Sequence, residues 1–184
     1  MKKIVLIFGV IAGLITGGMF YLNIPEPGET MSFEGGAIIG YVTMIIALSS
    51  IFFAVKQYRD KYNGGSIKFG KAFLIGLYIT LIASVIYVLL WEVYYNAYAS
   101  DFGDQYVEYL KKQMIESGKS EADISVEMAE MEKSMESYKN NRGVRFAFTF
   151  IEIFPVGLII SLICGVLFGV FMKPKANDQD AVLS

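Results

Sequence analysis

Residues 72–91 read AFLIGLYITLIASVIYVLLW, twenty positions without a charged side chain. About twenty apolar residues, at roughly 1.5 Å of rise each, cover the ~30 Å hydrocarbon core of a bilayer. A helix of a soluble domain keeps a polar face, and this stretch has almost none. In lipid a backbone must satisfy its own hydrogen bonds, so the stretch reads as a transmembrane helix. Three further stretches repeat the pattern. Residues 4–22 run for 19 positions without charge, 35–55 for 21 and 153–172 for 20. Only Glu152 and six uncharged residues separate the last of these from Arg145. The expected spans are 4–22, 35–55, 72–92 and 148–172, in one four-helix membrane domain over 1–175. Residues 176–184 are expected to form a disordered C-terminal tail.

The whole chain agrees. Of 184 residues, 54% are hydrophobic and 18% charged, with a mean hydropathy of +0.47; a soluble domain is nearer about 25% charged. Sixteen basic and 18 acidic residues leave a net charge of −2, which favours neither a nucleic-acid partner nor an acidic disordered chain. There is no histidine and a single cysteine, Cys164. That removes Ser-His-Asp and Cys-His nucleophiles, His-based zinc sites and any intramolecular disulfide. No catalytic residue, metal or cofactor is implied, and an enzyme is not expected.

Lys2 and Lys3 before an apolar run also describe a secretory leader. This run is longer than a usual leader core and ends in Gly17-Gly18-Met19-Phe20-Tyr21, with aromatics where small residues should sit. A retained first helix is expected. Basic residues beside the spans then set orientation. The second loop, 56–71, carries Lys56, Arg59, Lys61, Lys68 and Lys71 against Asp60 alone. Lys2, Lys3, Lys173 and Lys175 mark the same side. The first loop holds Glu26, Glu29 and Glu34 and no base. Both termini and the second loop are therefore expected in the cytoplasm. Arg142 and Arg145 are the only dissent. Tyr21, Trp91, Tyr94, Tyr95 and Tyr98 fall at the outer ends, where amphipathic rings are favoured. The five bases of the second loop are also candidate contacts for anionic lipid.

Residues 99–143 are too long for a bare loop. Tyr106, Tyr109, Leu110 and Met114 recur at helical spacing, Ser117-Gly118 breaks the pattern, and Ser120 with Asp123 resembles a capping box. Ile124, Met128, Met131, Met135 and Tyr138 then make one seam, which is better read as packing than as a thioether metal site. The expectation is an extracytoplasmic helical hairpin between helices three and four, its second helix running on into helix four. Small residues at four-residue spacing suit close helix packing: Gly9, Gly13 and Gly17; Gly36 and Gly40; Gly76 after Ala72; Gly165 and Gly169. The repeat in helix one also admits a homodimer.

Glu92 and Glu152 are the acids beside or inside the third and fourth apolar spans. Counting residues from the basic end places both about 30 Å across, at matching heights near the outer interface. They could share a proton or cation, or pair with Arg142 and Arg145.

Specific residues also resemble a family. Tyr58-Arg59-Asp60-Lys61, the run from Gly64 through Phe73, Gly76, the exit Trp91-Glu92-Val93-Tyr94-Tyr95, the acidic third loop and a last helix ending in 165–172 are similar to the bacterial domain-of-unknown-function 4199 (DUF4199) family. That resemblance implies a small four-helix integral membrane protein without an assigned activity or assigned catalytic residues. The reading is an all-α protein of a bacterial inner membrane whose outer hairpin meets a membrane or periplasmic protein. The alternative is a small transporter or channel subunit using Glu92 and Glu152.

Overall fold

The computed structural model describes residues 1–22, 24, 31 and 33–172. Glu26 and Glu29, the side chain of Glu34, Lys173, Lys175 and the tail expected at 176–184 lie outside the described residues. Among the described residues the structure is entirely helical. The elements are α1 (Lys2–Gly18), closed by a 3-10 turn Met19–Leu22, then α2 (Phe33–Leu48), α3 (Ser50–Tyr62), α4 (Phe69–Tyr98), α5 (Phe102–Glu116), α6 (Glu121–Asn140) and α7 (Arg142–Val166), which ends in a π turn Leu167–Phe171.

Four helices are long and apolar enough to cross a membrane: Lys2–Leu22, Gly35–Tyr62, Phe69–Tyr98 and Arg142–Phe171. Each matches an expected span and is longer than it, the first by only two residues. The second joins α2 and α3 through Ser49, whose hydroxyl donates to the Ile45 carbonyl at 2.6 Å, a back-bond that bends a helix without ending it. Lys56, Arg59 and Lys61 therefore sit on a helix rather than in a loop. The true turn is short. Gly64 and Gly65 have φ of +62° and +81°, a region open to glycine, and Asn63 Nδ2 donates to the Ser66 carbonyl.

The bundle buries large apolar side chains such as Phe168, Leu48, Ile51 and Ile153, and it sets small residues among them. Along the first half of α4 the buried face is Ala72, Ile75, Gly76, Ile79, Thr80, Ala83 and Ser84, mostly small, and it continues through Tyr87, Val88, Trp91, Tyr94 and Tyr95. The outward face carries Leu74, Tyr78, Val85, Leu89 and Val93. Lipid tails are as apolar as leucine, so helices gain by close backbone approach, and small residues belong inside. Helix α4 is central, packing chiefly on α1 and α7. A Cβ added at Gly9 would lie 2.8 Å from Ile82 Cβ, and one at Gly13 would lie 2.7 Å from Ile86 Cβ. Gly17 is closed by Leu90, Gly76 by Ser161, Gly165 by Phe69, Gly157 by Thr80 and Gly169 by the Phe69 backbone. The glycine face of α1 is thus taken by α4, and a homodimer through that face would have to displace it. Gly36 and Gly40 meet nothing within 4 Å, so they are not packing positions in this chain. The N-terminal half of α2 lies on the bundle surface, and burial begins only at Met44.

Two other expectations are corrected at the end remote from the basic turn. Trp91, Tyr94 and Tyr95 do not face outward as a belt. Trp91 and Tyr95 are buried beneath α5 and α6 with Ala99, Met135 and Tyr138, Tyr94 is buried against Phe20 and Tyr21, and Tyr98 stays exposed. And α6 does not run into α7. Asn141 adopts φ −126°, ψ 108°, and its side chain accepts hydrogen bonds from the Gly143 and Val144 amides at 2.9 and 3.3 Å. An asparagine in this role satisfies donors a continuing helix would use, so it starts a new helix.

Filling a backbone contact should cost more than filling open space. We predict that Gly13→Val lowers the unfolding free energy of the detergent-solubilised chain by about 1–3 kcal/mol. Gly40→Ala should change it by less than about 0.5 kcal/mol. Thermal unfolding of the two variants side by side checks the contrast.

Candidate functional site

Because α7 restarts at Asn141, its first turn places Arg145 directly beneath the C-terminus of α6. The last carbonyls of a helix have no partner within it. Arg145 Nη1 donates to two of them, Tyr138 O at 3.0 Å and Lys139 O at 3.3 Å. The other edge of the guanidinium forks onto Glu92 of α4, with Nε and Nη2 each 2.7 Å from a carboxylate oxygen. Its face lies 4.1 Å from the Tyr95 ring centroid and 5.8 Å from that of Tyr138. The Arg145 side chain is 3% exposed and that of Glu92 14%. Planar, bidentate pairing of this kind suits arginine and not lysine.

The surrounding groups complete the cluster. Asn96 Nδ2 donates to Glu92 Oε1 at 3.2 Å, and Arg142 Nε lies 3.4 Å from the same oxygen while its side chain stays exposed. Trp91 Nε1 donates to Tyr138 Oη at 2.5 Å. Burial pushes the Tyr138 phenol up to about 12, so the hydroxyl stays neutral at ordinary pH and can accept from the indole. On the hairpin, Lys139 donates to Asp104 at 2.7 Å, and this bond holds its ammonium above the usual lysine range. Ser120 caps α6 by accepting from the Asp123 amide at 3.2 Å.

Of the polar residues singled out from sequence, the structure joins Glu92 to Arg145 and leaves Glu152 apart. Glu152 Oε2 instead accepts from Tyr87 Oη at 3.1 Å. Tyr87 precedes Glu92 by five residues, about 7.5 Å along α4, and Glu152 follows Arg145 by seven, about 10 Å along α7. The two carboxylates are therefore at different depths, with Glu152 the deeper, and they do not share a site. The equal heights came from counting both helices from the basic end. The register across α4 and α7 is set by Arg145 instead. Below Glu152, Thr80 Oγ1 and Ser161 Oγ lie 3.3 Å apart in the same interface, and Ser161 also donates to the Gly157 carbonyl.

At the other end the five bases divide. Arg59 Nε donates to Asp60 at 2.6 Å and its guanidinium lies 5.1 Å from the Phe168 centroid. Lys71 stands over the Tyr58 ring at 5.7 Å. Lys56 and Lys61 line a surface groove with Phe8 and Phe53, and Lys68 is exposed outside it. Sequence reasoning missed Asn141, Tyr87 and Tyr95 as site residues. The run Asn140-Asn141-Arg142-Gly143 carries a cap signal that could have exposed the break. The two tyrosines carry no such signal.

Among the described residues no group of three or more Cys, Asp or Glu converges as metal ligands would. Fold and site together define a class: a small all-α protein with four helices able to span a membrane, closed at one end by a helical hairpin that an arginine clamps in place. The chain belongs to the family described as "Protein of unknown function (DUF4199)", whose profile matches residues 7–169. No curated protein and no solved structure matches it.

Breaking the clamp on one side should be costly. Removing one partner of a buried ion pair leaves the other charge unanswered, at about 3–5 kcal/mol. Glu92 keeps Asn96 and the exposed Arg142, 3.4 Å from Oε1, so we predict a loss toward the lower end of that range for Arg145→Gln in chemical unfolding. Adding Glu92→Gln should cost much less than the sum of the single changes, with a coupling of at least ~1 kcal/mol.

Proposed function

We propose that the chain is a multi-pass protein of a bacterial inner membrane that holds α5 and α6 outside the cytoplasm as a docking surface for a membrane or periplasmic protein. One observation carries this reading: the hairpin is fixed to the spans rather than tethered by them. Arg145 joins α6 to α4. Phe102 packs on Trp91, Phe33 at the start of α2 meets Phe102 edge-on and Tyr106 and Tyr109 at a tilt, and the Met31 amide donates to Gln105. A surface so braced keeps its geometry relative to the bilayer. Its free face carries exposed Glu130, Lys133 and Glu136, while Ile124, Met128, Met135 and Tyr138 turn inward. Both termini are placed in the cytoplasm. The support is that Phe8 of α1 lines a groove with the α3 bases, and Phe168 of the last span lies under Arg59, so the basic ends of three spans gather on one side.

Glu152 supports a second reading, the handling of a proton or cation. It stands outside the Arg145 cluster, and carboxylates in membrane spans are commonly functional. Below it, however, the buried α4–α7 interface passes from Thr80 and Ser161 to Ile75, Ala72, Cys164 and Phe168, with no ionisable carboxylate or amine.

Two measurements test the proposal. In a Cys164→Ala background, an impermeant maleimide on intact cells should label Lys133→Cys and spare Lys61→Cys; the reverse would overturn the orientation. A partner should co-purify with the intact chain and be lost on Glu130→Lys with Glu136→Lys, while the protein stays inserted. Unaltered co-purification, together with proton or cation flux in liposomes abolished by Glu152→Gln, would replace docking with the second reading.

A further inference from the structure

The geometry points to a binding site for one anionic phospholipid in the groove between α1 and α3 at the basic end. The groove is about 330 Å³ and is lined by Phe8, Phe53, Lys56, Gln57, Asp60 and Lys61. Its chemistry is divided along the helix axis. Phe8 and Phe53 form an apolar floor. From Phe8, Ile11 and Ile15 follow on the same face of α1, three and seven residues further, and both are exposed. They extend the apolar wall toward the middle of the bilayer, where an acyl chain would lie. Toward the end of the helix the lining changes to two ammonium groups and a carboxamide.

Two neighbouring bases are already engaged, and Lys68 lies outside the groove, so Lys56 and Lys61 are the bases that line it. Arg59 is committed to Asp60 and to the face of Phe168, and Lys71 to Tyr58. Asp60 belongs to the lining, yet its carboxylate is held by Arg59 at 2.6 Å and so does not repel an incoming phosphate as a free acid would. Among the described residues neither Lys56 nor Lys61 has a carboxylate within 4 Å. The two are five residues apart on one helix, with Gln57 between them in the groove. A phosphodiester seated there would accept from both ammonium groups and from the amide. Lys2 and Lys3, five to six residues before Phe8, begin the same helix at the same end. The lysine stems can lie along the apolar wall while their heads reach the headgroup. A zwitterionic lipid would bring a cation to a place that already holds two.

The inference requires the bundle to span a bilayer; it does not depend on what the hairpin binds. Each lysine near an anionic headgroup is worth about fivefold in binding. The test is native mass spectrometry of the full chain in detergent, with palmitoyl-oleoyl phosphatidylglycerol and phosphatidylcholine supplied in equal amounts. One phosphatidylglycerol should be retained with a preference of about tenfold or more. Lys56→Gln with Lys61→Gln should reduce that preference to near unity, and Lys68→Gln should leave it unchanged. Glycerophosphoglycerol, which has the headgroup and no acyl chains, should not compete. Equal retention of the two lipids by the unaltered chain would overturn the site. So would an equal loss in Lys68→Gln, which would mean diffuse attraction, or displacement by the chainless headgroup, which would mean a phosphate site without a lipid groove.

Discussion

Arg145 cannot lose its charge, and at 3% exposure it has no water to share it with. A guanidinium in that position must find acceptors on every edge, and the end of the bundle remote from the basic turn supplies them. Helix α4 has to continue past Trp91 so that Glu92 can offer both oxygens and Tyr95 its ring. Helix α6 has to stop where its last carbonyls, Tyr138 and Lys139, meet Nη1. The chain must then turn at Asn141 and come back beneath them. Replacing such a pair by apolar residues is often neutral, so its contribution is less to net stability than to register. Here the register it selects is that of the hairpin against the membrane helices.

Further along the bundle another force takes over. The α1–α4 contact and the inner half of α4–α7 depend on backbone approach, at Gly9, Gly13 and Gly17 on one side of α4 and at Gly157, Gly165 and Gly169 on the other. These contacts have no charge to satisfy and little tolerance for an added methyl group. One end of α4 is therefore registered by directional bonds and the rest by steric fit. The glycines of the two neighbours make room for α4 side chains, Ile82, Ile86 and Leu90 on one side and Thr80 and Phe69 on the other.

Much of this was legible beforehand, for a physical reason. A span must be apolar over a fixed length, so 72–91 declares itself, and so do the three other runs. The seam Ile124–Met128–Met135–Tyr138 follows from helical period alone, and the turn at Gly64-Gly65 from the conformations glycine permits. Composition could not tell which neighbour each surface meets. Gly36 and Gly40 have the same spacing as Gly9 and Gly13, yet nothing lies opposite them. Trp91 and Tyr95 have the amphipathic character of interfacial rings, and a hairpin covers them. Glu92 and Glu152 sit at similar counts from the basic end. Only the Arg145 fork decides that one of them is a brace and the other is not.

That division bears on what the bundle can do. Polar side chains follow the α4–α7 interface inward from Arg145 through Thr149 and Tyr87 with Glu152 to Thr80 and Ser161, and there they end. Beyond that point the buried residues are Ile75, Ala72, Cys164 and Phe168, closely packed and without a group able to carry a cation onward. A path across the membrane within one chain would have to cross this layer dry, at the full cost of an unpaired charge in apolar surroundings. The outer polar groups are instead spent on one another and on the hairpin. Among the described residues the one buried arginine is committed to bracing the hairpin, and that commitment is what the docking proposal rests on.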